Sequence, residues 1–74
     1  MRLSRHARNR SRLYRIQSAE IELIVAGGRL IDFDARGNPR IAAVVADGRE
    51  ILVVVALDNP DLVITLMERG INES

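Results

Sequence analysis

His6, Arg10 and Tyr14 recur every four residues, so on a helix they form one row along a single face. A histidine carries a proton at neutral pH, an arginine clamps a phosphate, and a phenol donates a hydrogen bond. Such a row could line a pocket at the junction of helix and sheet, with the histidine as proton carrier, the arginine as phosphate clamp and the tyrosine as donor. His6, Arg10 and Tyr14 are therefore the candidate catalytic residues. Composition alone favours the blander reading, in which His6 and Arg10 bond strand carbonyls or acids such as Asp32, Asp34 or Glu68.

A second set interleaves with the first. At 100° per residue, Arg5, Arg8, Arg12 and Arg15 fall within an arc of about 80°. Like charges at these spacings cost roughly 0.2–0.5 kcal/mol per pair, a cost that phosphates or carboxylates on a partner would offset. These four are the candidate nucleic-acid-binding residues. The charge of the whole chain points the same way. Residues 1–15 hold six arginines and no acid, whereas residues 16–74 hold five arginines against ten acids, so a net charge of +1 conceals a basic head on an acidic body. Nucleic acid and an acidic protein segment are the partners this polarity fits.

Other chemistry is poorly supported. With no cysteine and one histidine, the common zinc arrangements are excluded. No glycine-rich loop follows a strand and opens a helix, so no nucleotide cofactor is expected, and none of any other kind. The serines lack a recognisable base and orienter, and Phe33 alone makes no stacking platform for single strands. No apolar run approaches the ~20 residues that span a bilayer, and the arginine-rich start is followed by no apolar leader. A soluble, cytoplasmic protein without a membrane partner is expected.

Local signals set out the elements. Ser4 caps a helix from Arg5 to Tyr14, and Ser18 caps a second from Ala19 to Ala26, which Gly27-Gly28 ends. Strands follow at Arg29–Asp34, Arg40–Ala46, Arg49–Leu57 and Leu62–Glu68. Ala35–Pro39 and Asp58–Asp61 form loops, and Asp47-Gly48 reads as a two-residue hairpin turn. The order predicts one α+β domain over residues 1–74, with two N-terminal helices packed on a four-stranded antiparallel meander. Ile41–Ala46 and Ile51–Leu57 are apolar on both faces, and two short helices cover only one. The uncovered face predicts a second subunit or another partner molecule.

The stretch Ser4-Arg5-His6-Ala7-Arg8-Asn9-Arg10 through Ile16 resembles the opening of the family called domain of unknown function 4258. There a His-Ala pair precedes arginines on a helix, then an isoleucine and an acidic second helix. Arg36-Gly37-Asn38-Pro39-Arg40, Asp47-Gly48-Arg49-Glu50 and Val63-Ile64-Thr65 are similar to later parts of the pattern, so the resemblance spans nearly the whole chain. The chain departs from it at Tyr14, usually an arginine, at Leu52, often a histidine, and at Met67, often a tyrosine. More distantly, the family is similar to RelE-type toxins of bacterial toxin–antitoxin pairs, small basic domains that attack messenger RNA. That similarity implies a RelE-like fold, a metal-independent endoribonuclease and an acidic antitoxin. RelE-type folds also begin with a strand, which only Met1–Leu3 can supply here. The alternative is a non-catalytic homodimeric interaction module.

Overall fold

Ser4 is the hinge on which the start of the chain turns. A computed structural model describes residues 1–69 and places a strand β1 (Arg2–Leu3) before helix α1 (Arg5–Tyr14), then α2 (Ser18–Gly27). The Ser4 hydroxyl accepts the Ala7 N–H at 3.0 Å, capping α1, and donates its own proton to the Ile64 carbonyl. Four further strands follow: β2 (Arg29–Phe33), β3 (Pro39–Val44), β4 (Glu50–Ala56) and β5 (Asn59–Glu68).

The sheet runs in the order β1-β5-β4-β3-β2. Strands β2 to β5 are antiparallel neighbours, but β1 lies parallel to β5, with Arg2 opposite Leu62 and Leu3 opposite Val63. The expected four-stranded antiparallel meander is thus corrected to a five-stranded mixed sheet. A two-residue strand shows no periodicity in sequence. It forms because β5 would otherwise present an open edge, and the incoming chain satisfies part of it, continuing with Ser4 N–H on the Val63 carbonyl at 3.0 Å.

Helix α2 begins one residue earlier than expected. Gln17, not Ser18, is the cap, and the Glu20 carboxylate accepts the Gln17 N–H at 3.0 Å, the reciprocal half of a capping box. At its far end Gly28 allows a close crossing. A Cβ on Gly28 would lie 2.5 Å from the Ile24 carbonyl oxygen and 2.8 Å from that of Ala42, which no side-chain movement relieves.

The strand connections are more alike than their sequences indicate. Val45 N–H bonds Arg49 O and Gly48 N–H bonds Val45 O, with Gly48 at φ 92°, a three-residue loop rather than the expected two. The Asp34–Asn38 loop repeats this design with Gly37 at φ 87°. The expected Asp58–Asp61 loop contracts to a turn at Leu57-Asp58, because Ala56 already pairs with Asn59.

Both helices pack on one face. Ala7, Ile16, Ile21 and Ile24 meet Ile51, Val53, Val55, Val63 and Leu66 there. The other face was expected to stay open, yet Ala42, Leu52 and Val54 are only 2%, 5% and 3% exposed. Register supplies the reason. Arg40 lies opposite Val54, Arg29 opposite Ala42, and Met67 opposite Leu52, so long side chains flank each apolar one. Ion pairs bound this strip: Arg40 holds Asp32 at 2.6 Å, and Glu50 lies between Arg29 and Arg69 at 3.9 and 3.7 Å.

Candidate nucleic-acid interface

Helix α1 is fixed at both ends, and that rigidity sets what its side chains can do. Ser4 ties its start to β5, and Ala7, wholly buried, lets the helix lie close on the sheet. At its end Arg15 adopts φ 58°, ψ 50°, left-handed backbone that usually belongs to glycine. Arg15 N–H bonds Arg12 O at 3.3 Å and Ile16 N–H bonds Ser11 O at 2.9 Å, the pair of bonds that closes a Schellman motif. Arg49 completes the anchorage. Its guanidinium donates to the Tyr14 carbonyl while bonding Asp47 at 2.8 Å and approaching Glu68 to 3.6 Å. That hydrogen bond holds the Asp47 carboxyl below its ordinary 3.8.

The helix is rotated from the orientation that its sequence suggests. Ala7 is buried and Arg10, Ser11 and Tyr14 are half-buried, an i, i+3, i+4, i+7 stripe. Helical period alone predicts an inward stripe of His6, Ala7, Arg10, Leu13 and Tyr14, at i, i+1, i+4, i+7 and i+8, which includes His6 and Leu13. Both are exposed, and that expectation is corrected. Ser11 takes an inward place because its hydroxyl finds the Ile16 carbonyl at 2.9 Å, and Leu13 is left 68% exposed.

Of the row His6, Arg10 and Tyr14, two members are joined directly. Arg10 Nη1 donates to the Tyr14 hydroxyl at 2.8 Å, while its Cζ lies 5.9 Å from the ring centroid, at the outer limit of a cation–π contact. The hydrogen bond is the stronger link and leaves the phenol proton free for another acceptor. His6, one turn earlier, faces solvent.

Arg5, Arg8, Arg12 and Arg15 are all exposed, as is Arg2. Arg12 and Arg15 line a shallow polar cleft with Ser11, Gln17 and Ser18. The difference between the two halves of the chain is sharp. Of the five arginines in the body, Arg29, Arg40, Arg49 and Arg69 each pair with a carboxylate and Arg36 does not, whereas none of Arg2, Arg5, Arg8, Arg10, Arg12 and Arg15 does so among the described residues. The body thus pairs most of its own arginines while staying net acidic, and the charge of α1 is left free.

Arg49 is the anchoring residue that sequence reasoning missed. It lies 35 positions from the Tyr14 carbonyl that it holds, and only the tertiary fold brings the two together. Among the described residues no group of three or more His, Cys, Asp or Glu could hold a metal ion. No helix among the described residues is long and apolar enough to cross a membrane.

Leu52 and Met67, two places where the sequence departs from the pattern it resembles, stand directly opposite each other in β4 and β5. They lie on the face away from the helices, so the two departures together make one apolar contact. No curated protein and no solved structure matches the chain significantly. A family model does, over residues 3–68, taking in both helices and strands β2 to β5. The chain therefore belongs to the family described as domain of unknown function (DUF4258).

Proposed function

We propose that this chain is a RelE-like toxin-family domain of a bacterial toxin–antitoxin pair, engaging RNA in the cytoplasm through α1. The observation that carries the reading is the unpaired arginine face. Arg5, Arg8, Arg12 and Arg15 stand exposed on a helix anchored at both ends, and no carboxylate among the described residues meets them. Holding like charges together on a rigid helix is unfavourable in the free protein and favourable against a phosphate backbone. An acidic antitoxin would quench the same face. The opening strand β1 also supports the reading, since RelE-type folds begin with one.

Cleavage is the finer part of the proposal. Arg10 would stabilise the phosphorane, the Tyr14 hydroxyl would protonate the leaving oxygen, and solvent-facing His6 would take the 2′-hydroxyl proton. Arg10 needs no movement to join Tyr14, because the two are already bonded. The apolar Leu52–Met67 pair leaves α1 as the place on which this proposal puts the reacting groups.

Titration of labelled single-stranded RNA at two salt concentrations tests the binding. Four phosphate contacts give a slope near −3 in log affinity against log salt, so raising salt from about 50 to about 200 mM weakens binding roughly 50-fold. Undetectable binding at the lower salt would refute the reading. For cleavage, His6→Ala and Tyr14→Phe should abolish strand scission while leaving RNA affinity within about twofold. Inducible expression in a bacterium, with growth arrest relieved by a neighbouring acidic gene product, tests the toxin role.

A further inference from the structure

Apart from Ser18, Glu20 and Glu22, helix α2 is apolar on its outer side as well as on its core side, which for a surface helix signals that a second side is meant to be covered. Ile21 and Ile24 face the core, yet Ala19, Leu23, Ala26 and Gly27 on the outer side are exposed as well. Leu23 is 72% exposed, more than any other large apolar side chain among the described residues. It borders a cleft of about 270 Å³ between α2 and the end of β3, lined by Glu20, Ile24 and Gly27 on one side and Ala43 and Val45 on the other. A Cβ on Gly27 would meet nothing within 4 Å, so the cleft is open where that residue lies. Val44, on the same rim, is 67% exposed.

We propose that the cleft receives Leu23 of a second copy of this chain, in a two-fold dimer that pairs the α2 helices antiparallel. The charges select this occupant and this direction. Glu20 and Glu22 stand in the first half of α2, and Arg29 follows its end with a side chain 77% exposed, its link to Glu50 stretched to 3.9 Å. Antiparallel pairing brings each copy's Glu20 within reach of the other's Arg29, whereas parallel pairing sets acids against acids. Opposed helix dipoles favour the same direction. The unpaired arginines of α1 lie outside the paired surface, so dimerisation brings no two arginine faces into apposition.

The interface is isologous, and Leu23 is its central knob. Light scattering on the purified protein over a dilution series should give twice 8.3 kDa at the concentrated end. Leu23→Arg should weaken the dimer at least about tenfold with the far-UV spectrum unchanged, because the substituted side chain is exposed in the single chain. Arg29→Glu, which sets acids against Glu20 of the second copy, should weaken it similarly and gives an independent reading where Leu23→Arg fails to fold. Phe33→Arg, on the β2 edge, should leave the dimer intact. A mass of 8.3 kDa at every concentration overturns the proposal. So does a dimer that ignores both α2-region variants, or one that only Phe33→Arg dissociates, since either places the interface elsewhere.

Discussion

Arg15→Gly should make this protein more stable and a poorer RNA binder at once. Arg15 sits at φ 58°, and among the described residues no other non-glycine residue has positive φ. Left-handed backbone costs a residue with a Cβ about 1–2 kcal/mol, and glycine avoids that cost. Glycine also loses about 0.5–1 kcal/mol more conformational freedom on folding, so the net gain is roughly 0.5–1 kcal/mol. In a domain of this size that raises the unfolding midpoint by roughly 2–8 °C. The Arg12 and Ser11 carbonyls keep their bonds, because both are accepted from backbone N–H groups. The price falls on the interface: one exposed guanidinium is lost from the arginine face, and the salt slope for single-stranded RNA should flatten by about 0.7. Thermal unfolding followed by circular dichroism, with RNA titration of the same samples, reads both effects. A midpoint that falls refutes the backbone argument. A midpoint that rises with affinity and slope unchanged shows that Arg15 makes no phosphate contact.

Gly28→Ala should destabilise the fold by about 1–3 kcal/mol, because the added methyl meets two backbone carbonyls; a denaturation midpoint equal to that of the parent would contradict the close crossing of α2 and β3. Acid should weaken the fold below pH 3.8. The Arg40 guanidinium holds the Asp32 carboxyl below that ordinary value, Asn38 does the same for Asp34, and Arg49 for Asp47. Depressed carboxyls contribute stability that is present above the unfolded value and lost as pH falls through the folded one. Asp34→Asn should remove part of that decline in a pH series of melting temperatures, and an unaltered series would exclude Asp34 as a contributor.

How much of this was legible depended on whether the signal was local. Ser4 as a cap and Gly28 as a stop are chemical facts about single positions, and the start of α1 and the end of α2 follow from them without any tertiary context. Strand β1 was not legible. Two residues have no period, and their pairing with Leu62 and Val63 exists only once α1 and α2 have carried the chain back over the sheet. The rotation of α1 failed for a related reason. Leu13 outranks Ser11 on any hydrophobic scale, but packing against β5 and the Ser11–Ile16 bond decide which of them turns inward.

The apolar runs of β3 and β4 show how a correct pattern can carry a wrong implication. They are apolar on both faces, and a partner was inferred to cover the far one. Yet Arg29, Arg40 and Met67 stand beside Ala42, Val54 and Leu52 through cross-strand register, which no single segment reveals. The unmet apolar surface lies on α2 and along β2, where Leu23, Leu30 and Phe33 are more than half exposed. The proposed second subunit therefore belongs on the helix and not on the sheet. That surface also lies away from the arginine face, so the proposed dimer and the proposed polyanion site would not compete for it. Assembly and RNA binding should accordingly be separable, with Leu23→Arg changing the mass of the particle and Arg15→Gly changing its affinity.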